Sequence, residues 1–138
     1  MILLLQVAGL ALGDSSTEEL VIITHNSVQQ DELSPVYLRH VFSGQIQFWD
    51  NGDKIKVFVL EPSDPNHQVF CKQQLKMFSY QLERLWSQLT YSGQGEPPII
   101  VQSLDALVEA VADTPGAIGY AKPDQVMSNI KVISGDTQ

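Results

Sequence analysis

The chain is poor in cysteine, in positive charge and in long apolar stretches, and each shortage removes a class of protein. One cysteine, Cys71, cannot close an internal disulfide and offers no zinc-type spacing. Lys and Arg number 8 against 16 Asp and Glu, for a formal net charge of −8. That field repels a phosphate backbone and no basic stripe offsets it, which argues against nucleic acid as a partner. A glycine-rich phosphate loop, a Ser-His-Asp order and a paired-carboxylate motif are all missing, so neither catalysis nor a cofactor is expected. His25, His40 and His67 are spread too widely for local metal-ligand spacing. The grouping of His25, Ser27 and Asp31 reads as loop polarity rather than a triad. Repeats, low-complexity tracts and linkers are lacking too.

What is present suits one globular domain. Hydrophobic residues make up 43% of 138 residues and charged residues 17%, enough apolar material for a real core. Residues 2–12 (ILLLQVAGLAL) are almost wholly apolar. As a helix they reach about 16 Å, short of a bilayer core of about 30 Å. The run predicts an export signal over residues 1–13, with Ala11-Leu12-Gly13 as a small-x-small cleavage site and Asp14 opening a single domain over 14–138. The protein is then periplasmic or otherwise exported. The competing reading, favoured by the lack of Lys or Arg before the run, is a first strand or helix of the core.

Residues 20–24 (LVIIT) read as a short buried strand. Ser34-Pro35 is a strong helix start, with Leu33 and Leu38 placed as a hydrophobic staple, and the helix ends near Ser43-Gly44. Asn51-Gly52 marks a turn. Residues 54–60 (KIKVFVL) form a strand entering the sheet interior, and Asp64-Pro65 opens the next helix with Asp64 or Ser63 as cap. Leu75, Phe78, Leu82, Leu85 and Leu89 recur at steps of three and four, predicting one apolar helical stripe packed on the sheet. Residues 93–98 (GQGEPP) form a loop and 99–101 a brief strand. Ser103 caps a helix with Leu104, Leu107, Val108 and Val111 on one face; strands over 117–121 and 130–133 follow. Strands alternating with helices indicate an α/β domain with a largely parallel sheet.

Three segments carry a resemblance. They are LRHVFSGQIQFW at 38–49, with Phe42, Gly44 and Trp49 in a Phe-x-Gly-x-x-x-x-Trp pattern; YSGQGEPP at 91–98, following Trp86; and TPGAIGY at 114–120. In this order they resemble the phosphate-type substrate-binding proteins of ABC transporters, with the type II periplasmic binding-protein fold. The second segment is similar to short, single-lobe members. The resemblance implies a three-layer αβα sandwich corresponding to one lobe. By themselves, Trp49 and Trp86 read as packing residues, Gly44 as a helix end, and Gly116 and Gly119 as points where a helix comes close.

The resemblance also locates a candidate site. Full-length phosphate binders hold the anion at a helix N-terminus with an Arg-Ser-Asp-x-Ser-Gly-Thr segment after a strand, where N–H groups, hydroxyls and a guanidinium satisfy the oxyanion. Here the segment after the strand is Glu61-Pro62-Ser63-Asp64-Pro65-Asn66-His67-Gln68. Ser63 and Asp64 match the Ser-Asp; Pro62 replaces the Arg, Pro65 removes an N–H, and the Gly-Thr portion is absent. Ser63, Asp64, Asn66 and His67 are the candidate ligand-binding residues, for phosphate or another small anion held weakly. The alternative is a structural or protein-interaction domain of the cell envelope that has lost solute binding, docking on an envelope partner or forming a homodimer. On that reading Ser63 or Asp64 is simply a helix cap.

Overall fold

Residues 19–135 are described by the structure, a computed structural model; the apolar segment read as an export signal lies outside them. The elements follow as β1 (Val21–His25), β2 (Glu32–Leu33), α1 (Pro35–Phe42), β3 (Lys56–Val59) and α2 (Pro65–Phe70). Helix α2 continues into a π-helical turn, Cys71–Leu75. Then come α3 (Ser79–Ser92), β4 (Ile99–Ile100), α4 (Leu104–Asp113), β5 (Ala117–Ala121), a 3-10 turn (Pro123–Gln125) and β6 (Ile130–Gly135). The strands form one sheet in the order β2-β6-β1-β5-β3-β4. Pairs β2–β6, β3–β4 and β3–β5 are parallel, and β1 runs antiparallel to β5 and β6. Strand β1 alone therefore opposes the rest, and the sheet is mixed but mostly parallel.

Two neighbouring residues of β5 show the layering, since successive side chains leave a strand on opposite faces. A Cβ on Gly119 would sit 2.4 Å from Leu107 Cδ2, so α4 presses on that face with its buried Leu104, Leu107, Val108 and Val111. On the other face the Tyr120 ring stacks on Phe70 of α2 at 4.0 Å, and Phe70 meets Phe42 of α1 at 4.9 Å. Helix α3 closes that side, where the Trp86 indole donates to the Phe42 carbonyl at 2.7 Å. The result is an αβα sandwich.

The helix starts obey local chemistry. Ser34, Asp64 and Ser103 cap α1, α2 and α4, each accepting a first-turn backbone N–H. Leu33 and Leu38, the staple positions, are both buried.

The stripe through Leu75, Phe78, Leu82, Leu85 and Leu89 requires correction. It is not one helix: the π turn ends at Lys76 in the left-handed conformation (φ 58°), and α3 begins afresh at Ser79. Leu75 and Leu82 are fully buried, Leu85 and Leu89 half-buried, and Phe78 is 51% exposed, stacked on Tyr80. The π turn is tied to other parts of the chain by one of its carbonyls and two of its side chains. Arg39 Nη1 donates to the Leu75 carbonyl at 3.0 Å. Gln73 Oε1 accepts the Leu20 N–H at 3.0 Å and Gln74 Nε2 donates to the Leu20 carbonyl at 2.7 Å. Both glutamines of the π turn thus bond the backbone of one residue, Leu20.

The three resemblance segments meet at the amino end of β3. Trp49 Nε1 donates to the Gly116 carbonyl at 3.0 Å. Gln47 Nε2 bridges the carbonyls of Gly44 (3.2 Å) and Gln94 (2.7 Å), while Leu89 fills the space beside Gly44 and Gly95. Both tryptophans are core residues, each with its indole N–H satisfied. Gly44 ends α1 with φ +89°. Gly116 departs from expectation: the group it admits is the Lys54 backbone carbonyl, 2.4 Å from where a Cβ would stand, rather than a helix.

Candidate functional site

Strands β2, β3 and β4 share one direction, and each is followed by a capped helix, so the starts of α1, α2 and α4 lie along one edge of the sheet. The carboxyl edge of an open α/β sheet is where ligands bind, because first-turn N–H groups point outward there. The β3–α2 loop belongs to this edge and carries Ser63, Asp64, Asn66 and His67.

The loop is tightly wound. Asp64 N–H donates to the Glu61 carbonyl at 2.9 Å, and Asp64 Oδ1 accepts the Asn66 N–H at 2.8 Å. Gln68 N–H donates to the Asp64 carbonyl at 3.1 Å. Pro65 has no N–H to offer. The carboxylate of Asp64 thus occupies the position at the helix start that an oxyanion would take. Ser63 is exposed and Asn66 half-buried, so their side chains are accessible. Charge at this edge is mostly negative, with Glu61, Asp64, Asp105 and Asp124 against Lys122. An incoming anion meets repulsion and no guanidinium.

His67 is separated from the other three. It is 0% exposed, and its ring turns into the core among Phe70, Trp86 and Tyr120. Nδ1 lies 2.7 Å from Tyr120 Oη and Nε2 lies 3.5 Å from Cys71 Sγ. Tyr120 Oη also accepts the Leu60 N–H at 2.8 Å. Desolvation holds the imidazole down at about 4, against a weaker opposing pull from Asp64. Burial pushes the Cys71 thiol up to about 12, with Glu83 adding to the effect. It also raises the Tyr120 phenol, against the bond from Leu60. All three groups are neutral at pH 7, and Cys71 is a fully buried thiol rather than a nucleophile. The part played by Tyr120 is invisible in sequence, because it joins residues 53 and 60 positions away.

The remaining histidines sit elsewhere. His25 ends β1, its Nδ1 accepting the Ser27 N–H at 2.9 Å; Asp31 pairs with Lys131 at 2.9 Å; His40 is exposed on α1. A cavity of about 80 Å³ lies at the opposite, amino end of the sheet, lined by Gly44, Gln47, Lys54, Lys56, Glu96 and Pro97 among others. Its Lys54 already pairs with Glu96 at 3.5 Å, and Gln47 is engaged by backbone carbonyls. Lys54, Glu96 and Gln47 of this hollow are therefore already paired, and the carboxyl edge remains the better candidate. Among the described residues no helix is long and apolar enough to cross a membrane.

Neither a family model nor a curated protein matches the chain. Solved structures do. An ABC-type phosphate transport receptor from Vibrio cholerae is 18% identical with a TM-score of 0.62, over 88% of this chain and 47% of that one. A putative phosphate ABC transporter substrate-binding protein from Clostridium perfringens, with bound phosphate, is 16% identical with a TM-score of 0.70, over 95% and 53%. PstS from Borrelia burgdorferi is 17% identical with a TM-score of 0.66, over 97% and 56%. The chain has the fold of these proteins and spans about half of their length.

Proposed function

We propose that the chain is a non-enzymatic, exported binding-protein-like domain that takes phosphate or another small anion weakly at the β3–α2 loop. The observation that carries this reading is the placement of Ser63 and Asn66, accessible polar groups, at a helix start on the carboxyl edge of the sheet. The similar structures are by name a phosphate transport receptor and a substrate-binding protein with bound phosphate, which supports the choice of ligand. Weakness follows from three features. Asp64 already satisfies the Asn66 N–H, Pro65 lacks a donor, and the charge-assisted bidentate contact of an arginine is missing. An anion covered from one side also stays hydrated and gathers few donors.

Calorimetric titration of the purified chain with phosphate at moderate salt tests this. A dissociation constant on the order of 1 mM or weaker is expected, equivalent to no more than about 4 kcal/mol. Micromolar binding abolished by Ser63→Ala would show a working receptor instead. Export has its own readout, the intact mass of protein recovered from the envelope. Cleavage before Asp14 leaves 138 − 13 = 125 residues at an unchanged charge of −8, since residues 1–13 carry no charged side chain. A species retaining Met1 would overturn that part.

A further inference from the structure

We propose that the Tyr120 hydroxyl is a latch that positions the β3–α2 loop, and that protonating His67 releases it. A single buried oxygen holds both ends of the loop: it accepts the Leu60 N–H at 2.8 Å and lies 2.7 Å from His67 Nδ1. Everything between these anchor points, Glu61 to Asn66, is the segment that carries the accessible candidate residues. Tyr120 and His67 are both 0% exposed, so water does not compete for these bonds.

Of the two ways to place the protons, the favoured one leaves only the weak Cys71 S–H donor unpaired, rather than the stronger phenol O–H. Tyr120 donates its O–H to His67 Nδ1, which places the imidazole proton on Nε2, directed at Cys71 Sγ 3.5 Å away. A second proton must go on Nδ1, the atom the phenol already donates to. The phenol proton would then have to turn into a core of Phe70 and Trp86, while a cation sits in the same apolar surroundings. The charged groups that act on the cluster are Asp64, which favours the imidazolium, and Glu83 of α3, which acts on Cys71; neither is a hydrogen-bond partner of the ring. The loop is the part able to give way, since Ser63 is exposed and, besides the latch, the hydrogen bonds of Glu61 to Asp64 run only to neighbours within the loop and the first turn of α2.

The latch does not rest on anion binding and is read without a ligand. Amide hydrogen exchange on the full chain, corrected for intrinsic rates, reports loop opening at His67, Asn66 and Leu60, with Leu107 and Val111 of α4 as reference. The buried imidazole titrates near 4 and a released one near 6.5, so loop opening should rise about tenfold per pH unit as pH falls from 6.5 to 4.5. The loop amides should open more often than those of α4 throughout. Tyr120→Phe, which keeps the ring, should raise loop exchange at pH 7 at least tenfold relative to α4. His67→Asn, which keeps an acceptor near the Nδ1 position but does not titrate, should flatten the pH dependence. Loop opening independent of pH in the wild-type chain overturns the proposal, as does exchange of loop and α4 at one common rate. If a variant fails to fold, the wild-type pH series decides alone.

Discussion

Gly116 and Gly52 share a left-handed backbone, φ +81° and +95°, and differ in their surroundings. A Cβ on Gly52 would meet nothing within 4 Å, whereas one on Gly116 would lie 2.4 Å from the Lys54 carbonyl oxygen. Gly116 is also fully used by its backbone. Its N–H donates to Ser27 Oγ at 3.0 Å, and its carbonyl accepts from Trp49 Nε1 at 3.0 Å and Lys56 N at 3.2 Å. Gly52→Ala should therefore cost only the conformational penalty, about 1–2 kcal/mol. Gly116→Ala should cost that plus about 1–3 kcal/mol for forcing backbone apart. Urea melts of the two variants provide the comparison. Equal losses would mean that the close approach at Gly116 relaxes freely, and that the junction of β3, β5 and the Trp49 loop is looser than its hydrogen bonds indicate.

Among the elements, the helical region from Pro65 to Ser92 separates what local chemistry encodes from what tertiary contact imposes. Leu82 is 0% exposed and Phe78 is 51% exposed, although both belong to the same apolar spacing. Leu82→Ala should cost about 2–5 kcal/mol, and Phe78→Ala well under half of that, measured by denaturant melts at matched m-values. A Leu82→Ala loss below about 0.5 kcal/mol would place α3 off the core. The caps at Ser34, Asp64 and Ser103 are legible in the sequence because the residue that caps a helix lies beside it in the chain. Both tryptophans and the α4 face are legible for a similar reason: size and periodicity suffice. The π turn is not, because its cause is distant. Gln73 and Gln74 reach Leu20, 53 and 54 positions away, and Arg39 reaches Leu75, 36 positions away. The candidate site divides along the same line. Asp64 as cap is visible, whereas the sequence groups His67 with its loop neighbours because nothing local announces the Tyr120 hydroxyl that draws it inward.

For the molecule as a whole, two electrostatic effects pull stability in opposite directions as pH falls. The net charge of −8 repels itself, and lowering the pH toward the isoelectric point of about 4.6 relieves that repulsion and favours the folded state. Exposed charges share this relief, and salt screens most of it over about 8–10 Å. His67 acts the other way. Unfolded, it binds a proton below about 6.5; folded, burial holds it at about 4. Between those values the unfolded state carries the extra proton, so stability is lost as pH falls through the window, at about 1.4 kcal/mol per unit. Going from pH 6.5 to 5 costs about 2 kcal/mol from this one group. A buried, unscreened group should prevail over a diffuse, screened one at physiological salt. The wild-type chain is therefore expected to be less stable at pH 5 than at pH 7, by about 1–2 kcal/mol in urea melts. His67→Asn should remove that loss or reverse its sign, because only the relief of charge repulsion remains. A wild-type chain that grows more stable toward pH 5 in 0.15 M salt would mean that His67 takes up its proton without being expelled from the core.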